Sequence, residues 1–162
     1  MNQQVLEAKQ SVVKEIVEKA NNSQTIVFAE YRGLTVAQLQ EIRRALAKEN
    51  CEMCVYKNSL VERAMDELKA DDAKEMLKGP NAVIFSQDVS AGAKVIAKYA
   101  KRYRDILVIK GGLVEGKVVD AAKMVEVAKM PNKEGLISMF LSCLQAPVRS
   151  FACAVQAVAD AK

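Results

Sequence analysis

The C-terminal segment, residues 132–162, differs in composition from the rest of the chain, and this difference constrains the fold most. Between Glu134 and Asp160 the sequence holds no acidic residue, and Arg149 is the one cation. Polar side chains recur at helical intervals on one narrow stripe, whereas apolar side chains cover most of the remaining circumference. A helix that packs on a single core needs an apolar stripe of only roughly 100°. The sequence therefore predicts a globular domain followed by a separate, long helix.

This helix has three possible environments. At 1.5 Å per residue it would span about 45 Å, which is too long for a core helix folded back on a small domain. Gln145, Arg149 and Gln156 interrupt the apolar run, which disfavours a membrane anchor. We therefore expect the helix to be held by partner proteins. Pro147 is expected to kink it and to divide it into two segments.

Large apolar side chains are expected to anchor the partners, in the manner of a helix that docks into a groove. Met139, Phe140 and Phe151 are the candidate anchors. The full set of candidate partner-binding residues is Leu136, Met139, Phe140, Leu144, Val148, Phe151, Val155 and Val158.

Before Pro131 the sequence alternates between extended and helical patterns. Apolar runs predict four strands, over residues 25–29, 51–56, 82–85 and 106–109. Apolar spacing predicts helices over residues 3–21, 35–49, 59–68, 90–103 and 120–129, with a further helical stretch that ends at residue 77. The order strand, helix, strand, strand, helix, strand is that of a ferredoxin-like α/β sandwich. We predict an α+β domain over residues 1–131, with a doubly wound parallel sheet as the competing topology, and the long helix over residues 132–162.

Local signals define several ends of these elements. Thr35 with Gln38, and Ser59 with Glu62, have the spacing of capping boxes that begin helices. A glycine-rich stretch, residues 111–116, predicts a bend or a short hairpin. The first capped helix is expected to bury four apolar side chains: Val36, Leu39, Ile42 and Leu46.

Two strand-to-helix turns carry cations beside helix starts: residues 31–34 (YRGL) and residues 56–58 (YKN). A strand–helix–strand crossover leaves its two strands parallel, so both turns should lie at one edge of the sheet. Free N–H groups at helix N-termini attract anions, and Gly33 permits close approach of a backbone. This pattern predicts a phosphate-binding edge, with ordinary solvated turns as the alternative. The candidate residues for binding the phosphates of a nucleic acid are Lys9, Tyr31, Arg32, Gly33, Lys57 and Asn58.

Composition narrows the classes of function. The net charge of +4 permits a nucleic-acid partner without requiring one. The absence of histidine removes the commonest general base and metal ligand. Cys51 and Cys54 are expected on opposite faces of one strand, which suits neither a redox nor a metal site. We therefore expect no enzymatic activity, no cofactor and no bound metal. The N-terminal residues lack the apolar core of a secretory signal, so we expect a cytoplasmic protein with free thiols.

Four segments together resemble one family. They are FAEYRGLT at residues 28–35, VYKNSL at 55–60, GPNA at 79–82 and LQAPVR at 144–149. The sequence is similar, over essentially its whole length, to the bacterial stalk-base protein of the large ribosomal subunit, the tenth protein in the usual count. Cys51 and Cys54 correspond to no requirement of that family.

The resemblance implies a function. Members of that family bind the GTPase-associated region of large-subunit ribosomal RNA, next to the eleventh protein. Their C-terminal helix carries dimers of the acidic stalk protein, which recruit translational GTPases. The resemblance thus implies a structural, cytoplasmic ribosomal protein with these partners. It also implies that residues 31–34 and 57–58 face RNA. The alternative is a related assembly factor that occupies the same RNA site without holding stalk dimers.

Overall fold

A computed structural model describes residues 3–68, 70–103 and 106–160. Its five strands form one sheet in the order β2-β3-β1-β4-β5, and every neighbouring pair is antiparallel. Because β1 and β2 each pair antiparallel with β3, they are parallel to one another. The predicted α+β sandwich is confirmed, and the doubly wound parallel sheet is wrong. The strands are β1 (Thr25–Glu30), β2 (Cys51–Cys54), β3 (Asn81–Ser86), β4 (Val108–Val114) and β5 (Lys117–Asp120).

Helices cover both faces of the sheet. Alternate side chains of β1 divide between the two faces, as a strand requires. Val27 and Ala29 belong to one hydrophobic cluster, and Ile26 and Phe28 belong to the other. The continuous apolar run of β1 is therefore explained by burial on both faces. The helices are α1 (Gln3–Asn22), α2 (Val36–Lys48), α3 (Asn58–Glu67), α4 (Ala91–Arg102), α5 (Ala121–Val127) and α6 (Lys133–Asp160).

The two helices predicted to begin with capping boxes differ in outcome. Thr35 caps α2 as predicted, because its Oγ1 accepts from the N–H of Gln38 while the Gln38 side chain accepts from the N–H of Thr35. The predicted box at Ser59 is wrong. Lys57 is the N-cap of α3, and its carbonyl already accepts from the N–H of Leu60. The helix thus begins before Ser59.

Val36 was predicted to be buried and is 83% exposed. Residues of a helix are separated by about 100° of rotation. Val36 therefore lies roughly 80° to 120° away from Leu46 and Ile42, which are fully buried, and falls at the margin of the apolar face. The predicted spacing between successive apolar positions is correct, but the apolar face that this spacing defines rotates gradually around the helix.

The glycine-rich stretch forms the end of β4 and a hairpin to β5, which confirms the short hairpin that the sequence predicted as one of two possibilities and adds a fifth strand. Gly112 lies inside β4, where an added Cβ would be 2.1 Å from the carbonyl oxygen of Ile26 on β1. The glycine thus permits the close pairing of β1 with β4. Residues 71–77, predicted as helical, form a 3₁₀ segment, and β2 ends at Cys54 rather than at residue 56.

The chain divides into two compact units, Met1–Met130 and Pro131–Lys162. The second consists mainly of α6, which is uninterrupted across Pro147. The prediction that Pro147 divides the helix is therefore wrong, although a proline still leaves one carbonyl without an intrahelical partner. Within the described residues α6 is the one helix that is long and apolar enough to cross a membrane, a criterion of length and composition alone.

Because both hydrophobic clusters lie within the first unit, residues 1–131 are expected to fold without α6. Circular dichroism and urea denaturation of this fragment should give a helical signal and a single cooperative transition. An insoluble fragment, or one without a cooperative transition, would contradict the division.

Candidate functional site

Three turns lie side by side at one edge of the sheet. The register pairs Glu30, at the end of β1, with Asn81, at the start of β3, and Cys54 of β2 with Val83 of β3. The chain therefore leaves β1 through residues 31–34 and leaves β2 through residues 56–58 at the edge where residues 78–80 enter β3. We call these three turns the basic edge. The expectation that the first two share one edge is confirmed by the strand directions.

The first turn presents a cation next to the N-terminus of α2. Arg32 is exposed, whereas Tyr31 is half-buried and packs against the core. Gly33 has a φ of +95°, a conformation that side chains with a Cβ rarely adopt. The N–H of Leu34 donates to the carbonyl of Tyr31 and closes the turn. The backbone is thereby fixed so that Arg32 points away from the core.

The second turn presents Lys57 at the N-terminus of α3. Lys57 is exposed and makes no side-chain capping bond, so the positive end of α3 and a cation coincide. Asn58 is half-buried, and its Nδ2 donates to the carbonyl of Gly79 at 2.8 Å. This bond connects the second turn to the third.

The third turn, residues 78–80, contains the Gly79-Pro80 pair of the GPNA segment, and the sequence did not place it beside the other two turns. Gly79 reverses the chain with a φ of +95°, and Lys78 is exposed beside it. Lys110 of β4 donates to the carbonyl of Lys78 and forms an ion pair with Glu30 at 2.9 Å. Lys78 and Lys110 were missed because the sequence does not give the order of the strands. The Gly79-Pro80 pair was the sequence feature that indicated a turn at this position.

Lys9 lies elsewhere, in a groove between α1 and α3. Lys9 and Lys14 of α1 line this groove with Arg63 of α3, and all three side chains are exposed. Arg63 was also missed by the sequence analysis. The residues of α3 that line the groove, Arg63 and Glu67, lie in the C-terminal half of this helix, away from the second turn at its start.

A polar network attaches α1 to β2 beside the second turn. Lys19 forms ion pairs with Glu15 at 3.0 Å and with Glu52 at 2.9 Å, and Tyr56 donates to Glu15 at 3.1 Å. The hydrogen bond from Lys19 lowers the pKa of each carboxyl group, and Tyr56 lowers that of Glu15 further. The hydrogen bond to Glu52 raises the pKa of Lys19 despite the opposing effect of burial. The network therefore stays charged at neutral pH and fixes the helix that carries Lys9.

All eight candidate partner-binding residues on α6 are exposed, and α6 buries none of its side chains within the chain. Phe140 is 64% exposed and Phe151 is 73% exposed. Val148, which follows Pro147, is 74% exposed. A continuous apolar surface of this kind on a soluble protein indicates an interaction site.

The cysteines show no arrangement suited to catalysis. Cys51 faces one hydrophobic cluster and Cys54 packs against the other, as their spacing predicted. Burial raises the pKa of both thiols, which disfavours the reactive thiolate. Among the described residues, no group of three or more cysteine or acidic side chains could hold a metal ion.

Comparison with known proteins identifies the family. A family model described as Ribosomal protein L10 matches residues 4–101, and one described as Ribosomal protein uL10 C-terminal region matches residues 130–162. The large ribosomal subunit protein uL10 of Bacillus licheniformis is 44% identical over 97% of this chain and 95% of its own length. That of Bacillus cereus is 46% identical over 98% of this chain and 95% of its own length.

The chain belongs to the uL10 family of large ribosomal subunit proteins. The resemblance drawn from the four segments is thereby confirmed. Membership makes the chain a structural component of the bacterial cytoplasmic ribosome, and it confirms that the chain is not an enzyme. The family also accounts for α6 as the uL10 C-terminal region, which the second family model covers.

The Lys19 network predicts a pH dependence of stability. A carboxyl whose pKa is lowered by folding stabilises the fold above its unfolded pKa of about 4.3, and this contribution is lost as the pH falls through the folded value. Glu52→Gln should therefore lower the free energy of unfolding at pH 7 by about 1 kcal/mol or less, because the pair is partly exposed. The difference from wild type should shrink as the pH falls from 6 to 3.

Urea denaturation across this pH range tests the effect. Glu18→Gln, at an exposed position on α1, the helix that carries Lys19, is the control and should change stability little. A Glu52→Gln effect that is constant with pH would show that packing, rather than charge, carries the contribution.

Proposed function

We propose that this ribosomal protein binds large-subunit RNA, in the GTPase-associated region, through the basic edge. We also propose that α6 holds dimers of the acidic stalk protein, which recruit translational GTPases, and that the eleventh protein lies beside the RNA site. The observation that carries the RNA assignment is the convergence of exposed cations from separate turns at one edge of the sheet.

The geometry of the first two turns suits phosphate. Each presents an exposed cation, Arg32 or Lys57, beside the positive end of a helix, where anions bind favourably. Gly33 supplies the positive φ that the first turn requires, and Tyr31 and Asn58 flank the two cations. Lys9, with Lys14 and Arg63 in the α1–α3 groove, adds positive charge on another part of the domain. Glu30, the carboxylate nearest these turns along β1, is neutralised by Lys110.

Replacing Arg32 and Lys57 together with Ala should weaken binding to an RNA fragment of this region. Each lost phosphate contact should also reduce the slope of log affinity against log salt by about one ion. Fluorescence anisotropy across a salt series measures both quantities.

Lys48→Ala with Lys117→Ala is the matched control. It removes the same charge, but Lys48 ends α2 and Lys117 begins β5, so both lie towards the opposite edge of the sheet. Equal losses in the two double variants would mean that net charge, rather than this edge, drives binding. An Arg32/Lys57 variant that binds like wild type would exclude the site.

The exposure of α6 supports the proposal for stalk dimers. A monomer with this apolar surface should aggregate, so its partners should be bound almost permanently, as in an obligate interface. An assembly factor that holds no stalk dimers would not need a helix with this exposed apolar surface. The match of residues 130–162 to the uL10 C-terminal region also favours the stalk assignment.

Two apolar stretches are available for dimers, residues 136–144 and 148–158, on either side of Pro147. Each spans between two and three turns, which suits one helical clasp. Within the continuous helix, Pro147 cannot donate to the carbonyl four residues earlier, so one backbone hydrogen bond is missing between the two stretches. We therefore propose two dimers, with Phe140 and Phe151 as the respective anchors.

Phe151→Asp should remove the distal dimer and leave the proximal one, because buried aromatic residues often dominate such interfaces. Native mass spectrometry of the coexpressed complex should show two dimers on the wild type and one on the variant. Gln156→Asp, which adds the same charge on the polar stripe, should keep both. Three dimers on the wild type, or an unchanged count on Phe151→Asp, would refute the two-segment arrangement.

A further inference from the structure

The order of the strands places the third turn between the first two. Since β3 lies between β2 and β1, residues 78–80 lie between residues 56–58 and residues 31–34. Strands in a sheet are about 4.8 Å apart, so the first two turns are separated by roughly twice that distance. A polyanion that contacts both Arg32 and Lys57 has to pass over residues 78–80.

Side chains from two neighbouring elements form hydrogen bonds to the backbone of this middle turn. Asn58, from the start of α3, donates to the carbonyl of Gly79 at 2.8 Å. Lys110, from β4, donates to the carbonyl of Lys78. Lys110 is also held at 2.9 Å from Glu30, and its side chain is only 20% exposed. Two adjacent carbonyls of the turn thus have partners from different elements.

The chain of the turn is itself restricted. Gly79 has a φ of +95°, and a Cβ added there would lie 3.3 Å from Nζ of Lys110. Pro80 fixes its own φ and has no N–H to donate. The side chain of Lys78 is exposed, whereas both groups that fasten the turn are directed at its backbone. The turn therefore holds one outward cation on a fixed backbone.

We propose that residues 78–80 form the centre of the RNA-binding surface and that Lys78 contacts a phosphate there. Asn58 and Lys110 are positioning residues that act through this turn. The inference rests on the proposed function of the basic edge and deepens it. It reassigns Asn58, because the amide expected to contact RNA already bonds to Gly79.

Salt-dependent RNA binding of the full chain, held soluble by its coexpressed α6 partner, separates these roles. The probe is the RNA fragment used for the Arg32/Lys57 variant. Lys78→Ala should lower affinity and reduce the salt slope by about one ion. Asn58→Ala should lower affinity about fivefold, the equivalent of one hydrogen bond. It should also reduce the slope although no charge is removed, because Lys78 is no longer held in place.

A double-mutant cycle completes the test. If Asn58 acts through the turn, Asn58→Ala should lower the RNA affinity only slightly in a protein that already carries Lys78→Ala. Additive losses, with the slope unchanged by Asn58→Ala, would show that Asn58 is itself an RNA ligand and would overturn the positioning role. Wild-type affinity and slope for Lys78→Ala would overturn the central contact. Urea denaturation of each variant identifies any loss that comes from unfolding.

The failure of this inference differs from the failure of the proposed function. If the Arg32/Lys57 variant loses affinity and Lys78→Ala does not, only the third turn is excluded. If none of these variants differs from wild type, the basic edge is not the RNA site.

Lys110→Met combined with Glu30→Gln removes the hydrogen bond from Lys110 to the carbonyl of Lys78 without changing the net charge. We expect a reduced salt slope, as for Asn58→Ala, and Lys110→Arg should retain more affinity than the double variant. An unchanged slope in a folded Lys110→Met/Glu30→Gln protein would overturn the role of Lys110.

Discussion

The antiparallel pairing of β3 with both β1 and β2 is the interaction on which the candidate site depends. It makes β1 and β2 parallel at a distance of two strands, so that both end at the same edge of the sheet. It also brings the start of β3 to that edge and places Gly79 where Asn58 can donate to its carbonyl. Without this pairing, the cations at residues 32, 57 and 78 would belong to unrelated turns.

The domain and α6 differ in the exposure of their apolar side chains. In the domain, both faces of the sheet are covered, and Val27 and Phe28 are fully buried on opposite sides. In α6, the large apolar residues are exposed. The domain has the hydrophobic clusters of an independent folding unit, whereas α6 is suited to bury its surface against other chains. This contrast agrees with the proposed role, in which one protein joins RNA to further proteins.

Several elements of the fold followed from local physical rules. The buried strand at residues 25–29, the capping box at Thr35 and the opposite orientations of Cys51 and Cys54 each depend on near neighbours in sequence. Two errors arose where a drift of the apolar face along a helix determined burial, or where a tertiary contact accompanied an earlier helix start. Val36 lies at the margin of the apolar face of α2, and α3 begins at Asn58, which bonds across the edge to Gly79.

The sequence by itself determined the α+β class, the separate C-terminal helix and the family, since periodicity, composition and motif order are properties of the linear chain. It also predicted that residues 31–34 and 56–58 share an edge, because a crossover connection leaves its strands parallel. Only the tertiary structure decided that residues 78–80 lie between them and that Lys110 fastens that turn. The physical reason is that strand order and register are set by backbone hydrogen bonds and side-chain packing between segments far apart in sequence, which no local pattern specifies.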